Sequence, residues 1–218
     1  GEKVDENGQD HEGEIKEVIN VAKDNKMFFM EAMKTRFLPI NQKVKEIISQ
    51  GVLGDIRLLQ ADFGCSSAFD PKDRLYNKDL GGGALLDVGI YAISYSSFIF
   101  GNNPKDIKSN LYIGKSGVDE CVSINIEYEE GKQSQLYAAI NLDTVRDANI
   151  IGTKGRIRIP KFSNADAAYI FIDGKEEKIE IPFEINGFEY QINEVVNCIN
   201  KGKLQSEIMS WKDSIEIM

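Results

Sequence analysis

The sequence predicts an α+β domain, a large and mostly antiparallel sheet of six or more strands with helices packed on one face. Three observations carry this. Alternation with period two dominates the middle of the chain: Val122, Ile124, Ile126 and Tyr128 alternate with Ser123, Asn125 and Glu127, and Leu136, Ala138, Ile140 and Leu142 repeat the pattern. Turn signals separate such segments at Glu130-Gly131-Lys132, at Gly152-Thr153-Lys154-Gly155 and at Asp173-Gly174, the last a strong two-residue hairpin signal. Stripes with helical spacing flank the strands, and one strongly apolar helix interrupts them.

Taken in order, residues 1–13 offer no apolar period and are expected to be loosely ordered. Ile15, Val18, Ile19 and Ala22 fall at i, i+3, i+4 and i+7, a helical stripe reaching about Asn25. The run MFFM at 27–30 fits a strand buried on both faces, and a helix followed by such a strand is the closing unit of a parallel α/β sheet. That strand needs parallel neighbours which nothing before it supplies, so the chain is expected to be cut from a longer one. EAMKTRFLP at 31–39 leads into a helix with Ile40, Val44, Ile47 and Ile48, ended by Gly51 or Gly54. Strands follow at 56–63 and, after the central helix and a turn at Gly101 and Pro104, at 107–113. Hairpins are predicted for 122–128 with 136–142, for 149–151 with 156–159, and for 169–172 with 178–181. Ile192, Val195, Val196 and Ile199 make a further helix closed by Gly202, and 211–218 opens as another. A sheet with helices on one side leaves its other face polar or covered by a partner, and a second subunit is the common solution.

The 35 acidic residues outnumber 26 Lys and Arg, giving a formal charge of −9. This argues against nucleic acid or an anionic membrane as partner and leaves small molecules or proteins. Cys65, Cys121 and Cys198 are far apart and His11 is the only histidine, which argues against structural zinc, a Cys-His nucleophile pair or a histidine triad. The thiols are expected to be reduced, in a cytoplasmic protein. No apolar run of membrane-spanning length and no signal-peptide pattern stands out.

The stretch RLYNKDLGGGALLDVGIYAISYSS at 74–97 carries the chemistry. Asp87 and Tyr91 are four apart, so a helix sets carboxylate and phenol on one face, while Leu85, Leu86, Val88, Ile90 and Ile93 bury the rest of it. Gly81, Gly82 and Gly83 would let backbone approach a ligand, and Gly89 would keep the helix surface low between the two polar groups. The competing interpretation is a core pair in which Asp87 and Tyr91 satisfy each other. No dinucleotide loop is present: the three glycines lack G-x-G-x-x-G spacing, and Gly114-Lys115-Ser116 has Ser109 where a P-loop needs glycine.

EAMKTRFLP, GVLGDIRLLQADFG at 51–64, RLYNKDLGGGALLDVGIY and GTKGRIRIP resemble the glucose-fructose oxidoreductase and inositol dehydrogenase family, and within it the dihydrodiol dehydrogenase-like branch, over about residues 14–218. The resemblance implies an oxidoreductase dependent on NAD or NADP and acting on a CH–OH group of a small-molecule substrate. It makes residues 1–30 the end of an otherwise missing dinucleotide-binding Rossmann domain, and residues 31–218 the substrate-binding domain that also forms the homodimer or higher oligomer. It implies Tyr91 as acid-base residue, Asp87 as its acidic partner, and Arg36, Arg74 and the glycines through Gly82 and Gly83 as lining or shaping the cleft. A phenol of reference pKa near 10 needs a cation to work as a base. The family supplies a lysine from a Glu-Lys-Pro motif; Glu2-Lys3-Val4 matches it without the proline, which makes Lys3 the candidate. Lys34 stands where the branch has tryptophan, which favours a sugar or polyol over an aromatic diol; otherwise it is an exposed lysine at a helix entry. The alternative function is a non-catalytic ligand-binding or dimerisation module of the same fold.

Overall fold

The computed structural model describes residues 10–218; residues 1–9, with the candidate Lys3, lie outside the described residues. Residues 10–13, expected to be loosely ordered, open the first helix: the Asp10 carboxylate accepts from Gly13 N at 2.8 Å and caps α1, His11–Asp24. Short α2 (Lys34–Phe37) and α3 (Pro39–Ser49) follow, and Pro39 stands at the first position of α3, where its missing N–H costs nothing.

The strands are β1 (Ile56–Gly64), β2 (Asp106–Ile113), β3 (Asp119–Glu127), β4 (Gln133–Ala139), β5 (Ala148–Gly152), β6 (Gly155–Ile159), β7 (Ala167–Ile172) and β8 (Lys175–Glu180). They form one eight-stranded sheet in the order β2-β3-β4-β1-β5-β6-β7-β8. Its pairs are antiparallel except β1 with β4, which run parallel, so the mostly antiparallel sheet is as predicted. Asp173 and Gly174 have φ of 52° and 74°, the left-handed pair that a tight hairpin needs. Leu59, Ile124, Leu136, Ile150 and Ile157 bury one face of the sheet under the helices, whereas Gln60, Asn125, Gln135, Arg156 and Arg158 stand exposed on the other.

The central helix α4 (Ile90–Phe100) packs across the buried face and is preceded by a π-helical turn, Leu85–Gly89, in which the Ile90 N–H reaches Leu85 O, five residues back. Such turns recur at functional sites because they re-aim side chains. Gly89 lies against the sheet, where an added Cβ would come 3.3 Å from the Ala138 Cβ; it seats the helix on β4 and does not open the space between Asp87 and Tyr91. The run Lys78–Phe100 is long and apolar enough to cross a membrane by length and composition, contrary to expectation. Half of its apolar window is buried inside this fold, so that apolarity is spent on the core.

One further expectation fails. Residues 27–30 form no strand: Phe29 N donates to Leu204 O at 3.0 Å, Trp211 Nε1 donates to Phe29 O at 3.1 Å, and no described strand lies alongside to complete a ladder. Helix α5 (Phe188–Asn200) forms as predicted, yet its stripe of Phe188, Ile192, Val196 and Ile199 is about half exposed, as are Val18 and Val21 of α1. The closing helix α6 (Trp211–Ile217) carries a capping box between Ser210 and Asp213.

Candidate functional site

Tyr91 stands in the first turn of α4, half-buried, with its ring centroid 5.2 Å from that of Phe63 at the end of β1. Burial raises its pKa, the neighbouring Asp87 carboxylate adds to the rise, and Arg74 opposes it. The phenol therefore keeps its proton at neutral pH. Asp87 is not paired with Tyr91: its carboxylate takes a hydrogen bond and ion pair from Arg74, whose side chain is otherwise largely exposed. Among the described residues the Tyr91 hydroxyl has no hydrogen-bond partner, whereas Tyr76 donates to Ser67 O, Tyr95 to Asn41 Oδ1, and Tyr128 shares a hydrogen with Ser96.

The segment that delivers Arg74 is tied down locally. The Asp73 carboxylate accepts from Leu75 N and the Asn77 side chain from Asp79 N, closing two short 3-10 turns. Gly82 and Gly83, expected to line or shape the cleft, are crowded by the chain's own groups in this loop. A Cβ on Gly82 would come within 2.6–2.8 Å of the carbonyl oxygens of Arg74, Leu75 and Asn77. Gly83 has φ +125°, and a Cβ there would lie 2.0 Å from Asp119 Oδ1, the carboxylate that also accepts from Leu85 N at the start of the helix. The glycines allow close approach, but of the chain to itself.

Arg36 is likewise not in the cleft. It is 2% exposed, and its donors go to Ser94 Oγ and O, Ser97 Oγ, Ile208 O and the Asp213 carboxylate at 2.9–3.2 Å. Its guanidinium ties α2 and α4 to the start of α6, and no N–H is left for a substrate to claim. Lys34, two residues earlier, is half-buried: its ammonium donates to Asn164 Oδ1 at 2.6 Å and lies 4.4 Å over the Phe188 ring. Burial lowers its pKa and Glu189 partly restores it.

Arg146 completes the arrangement and was not singled out by the sequence, where it is one basic residue in a loop. It adopts φ 60°, donates through Nε to Gly64 O at 2.8 Å, and its guanidinium lies 5.2 Å from the Phe63 ring that touches Tyr91. Its carbonyl accepts from Phe162 N at 2.9 Å, so the turn Phe162–Asn164 links it to Lys34. A relay of contacts thus runs from Tyr91 through Phe63 and Arg146 to the Phe162–Asn164 turn and Lys34. The apolar groove of about 200 Å³ beside Ile93, Ile107, Leu111 and Ile126 includes neither Tyr91 nor Asp87. Among the described residues no group of three His, Cys, Asp or Glu could hold a metal ion, and Cys65, Cys121 and Cys198 are all free.

The GFO/IDH/MocA C-terminal domain matches residues 41–158. Trans-1,2-dihydrobenzene-1,2-diol dehydrogenase of Xenopus laevis is 34% identical over 210 residues, covering 92% of this chain and 63% of the relative. That of Homo sapiens is 28% identical over 212 residues, covering 92% and 62%. The chain thus spans about 63% of the length of these relatives. Among solved structures, aldose-aldose oxidoreductase from Caulobacter crescentus complexed with glycerol superposes with a TM-score of 0.86 at 22% identity, over 95% of this chain and 63% of that one. A 3-ketoreductase from Actinomadura kijaniata in complex with NADP and TDP-benzene gives 0.82 at 21%, over 95% and 64%. These two likenesses speak to the fold. With the family domain matched over more than half of its 218 residues, the chain belongs to the GFO/IDH/MocA family and carries that family's C-terminal domain.

Proposed function

We propose that this chain is the substrate-binding and oligomerisation part of an NAD(P)-dependent oxidoreductase acting on a CH–OH group of a sugar, polyol or diol, with Tyr91 handling the proton. The carrying observation is a half-buried phenol whose hydroxyl has no described partner, standing beside a carboxylate already committed to Arg74. A polar group with no internal partner at a cleft edge is available to a ligand. With its pKa raised, Tyr91 is set to donate a proton to an oxygen that gains electron density as a carbonyl is reduced. Asp87 positions Arg74, the described cation beside the phenol, but keeps negative charge there as well; Lys3 is the candidate for a second cation in the reverse direction.

The described residues do not fit a dinucleotide. The glycine-rich turn closes on its own carbonyls and on Asp119, leaving no row of free N–H groups for a pyrophosphate. The cofactor site is assigned to sequence outside the described residues. The half-exposed stripes of α5 and α1, with segment 27–30, which belongs to no strand, between them, support a docking place for that part. The sheet face bearing Gln60, Asn125 and Gln135 is proposed as the contact with a second copy of the chain. Turnover and melting temperature of Tyr91→Phe in the full-length enzyme test the proton role.

A further inference from the structure

Among the described residues the Tyr91 hydroxyl has no bond to fix it, so its placing falls to the packing of its ring. The aromatic ring that meets it is Phe63, with centroids 5.2 Å apart. One turn further along α4, Tyr95 packs on Phe162 at 5.1 Å, and both of those residues are fully buried. Arg146 reaches both supports: its guanidinium lies 5.2 Å over the Phe63 ring, and its carbonyl accepts from Phe162 N at 2.9 Å. The arginine is itself pinned. Its backbone N–H donates to Asp62 Oδ2 at 2.9 Å, Nε to Gly64 O at 2.8 Å and Nη2 to Asp143 Oδ1 at 3.2 Å. These bonds hold the backbone at φ 60°, a left-handed conformation that residues other than glycine adopt only where their surroundings impose it.

Glycine would make this turn without strain, so the arginine supplies something that a turn alone does not need. What it adds is a bonded, planar guanidinium on the ring that supports Tyr91. We propose that Arg146 is a positioning residue for the proton transfer: it clamps the Phe63 ring against Tyr91 and ties that contact, through Phe162, to Tyr95 on the same helix. The phenol is then presented in one orientation although its hydroxyl is unbonded. This rests on the proposed role of Tyr91 and adds a residue that acts through the ring packed on it. A reacting group displaced by about 1 Å loses up to about 100-fold in rate, while substrate binding by other groups is little changed.

The test uses Arg146→Gly, which suits φ 60° and removes the guanidinium without straining the turn, and Arg146→Met, which removes it from the strained backbone. In the 218-residue chain, carbon-13 NMR of the tyrosine rings reports on Tyr91 through the signal lost in Tyr91→Phe. Phe63→Leu deletes the neighbouring ring and marks the full displacement of that signal. Arg146→Gly is expected to move the Tyr91 signal most of the way to its place in Phe63→Leu and to leave Tyr169, on β7, where it is. In the full-length enzyme kcat is expected to fall about 10-fold or more with KM within a few-fold of the parent. A Tyr91 signal that both Arg146 variants leave in place would overturn the clamp, and so would a parental kcat in both. The proton role is read separately, from turnover of Tyr91→Phe in the full-length enzyme. Unimpaired turnover there refutes the proton role whatever the NMR signals do, whereas lost turnover with an unmoved signal in Arg146→Gly refutes the clamp and leaves the proton role standing.

Discussion

Replacing Arg36 by methionine should unfold this domain more readily while sparing ligand affinity. The side chain is 2% exposed and makes an ion pair with Asp213 at 3.0 Å, together with bonds to Ser94, Ser97 and the Ile208 carbonyl. Removing one partner of a buried pair strands the other, at a cost of about 3–5 kcal/mol. For a chain of this size each kcal/mol moves the melting temperature by about 2–4 °C, so Arg36→Met should melt roughly 6–20 °C lower. A pH arm checks the cause. Burial would raise the Asp213 carboxyl, but hydrogen bonds from Ser210 and Asn102 and the Arg36 charge prevail and hold it at about 2, against an ordinary 3.8. A depressed carboxyl stabilises fully above its unfolded pKa, so this contribution is complete above about pH 4 and lost as pH falls through about 2. The melting gap between parent and Arg36→Met, followed by circular dichroism, should narrow over that window. A variant that melts within about 2 °C of the parent, or that loses ligand binding at unchanged stability, would refute the structural role and return Arg36 to the cleft.

Gly83→Ala should destabilise the chain by about 2 kcal/mol or more, because φ +125° and a Cβ placed 2.0 Å from Asp119 Oδ1 cannot both be relieved. Gly81→Asn, at φ +69° with nothing within 4 Å of its Cβ, should change the melting temperature far less, and equal losses in the two variants would contradict the crowding argument. Titration of the 218-residue chain with NAD and NADP should give no measurable binding; micromolar affinity for either would displace the account of where the cofactor sits. Light scattering should give a dimer or larger, and a 24.4 kDa monomer at high concentration would count against the open sheet face as a contact.

What the sequence made legible were features with local causes. Period-two alternation locates β3 and β4, and Asp173-Gly174 specifies a turn that forms with both residues at positive φ. Helical spacing finds α3 and α5, but the same spacing cannot say that the α5 stripe stays half exposed, because that depends on what lies beside it. Asp87 and Tyr91 were paired by their spacing, yet Asp87 turns to Arg74, thirteen residues away through a loop whose path depends on Gly82 and Gly83. Arg36 was misplaced for a stronger form of that reason. Its partners at Ser94, Ile208 and Asp213 lie 58 to 177 residues along the chain and leave no local trace. Arg146 carries no motif at all, and its importance arises from the Phe63 ring beneath it and the Phe162–Asn164 turn beside it. The π-helical turn is similarly hidden, since Gly89 meets the sheet only through its approach to Ala138.

The central claim is that the Tyr91 hydroxyl moves the proton, and the most direct measurement is kcat/KM of Tyr91→Phe in the full-length enzyme, taken with its melting temperature. The substitution keeps the ring against Phe63 and removes only a hydroxyl that no described residue uses, so stability should stay within about 0.5 kcal/mol of the parent. Turnover should not: removal of a general acid predicts a fall in kcat/KM of about 100-fold or more. A Tyr91→Phe enzyme that keeps kcat/KM within a few-fold of the parent would contradict the assignment.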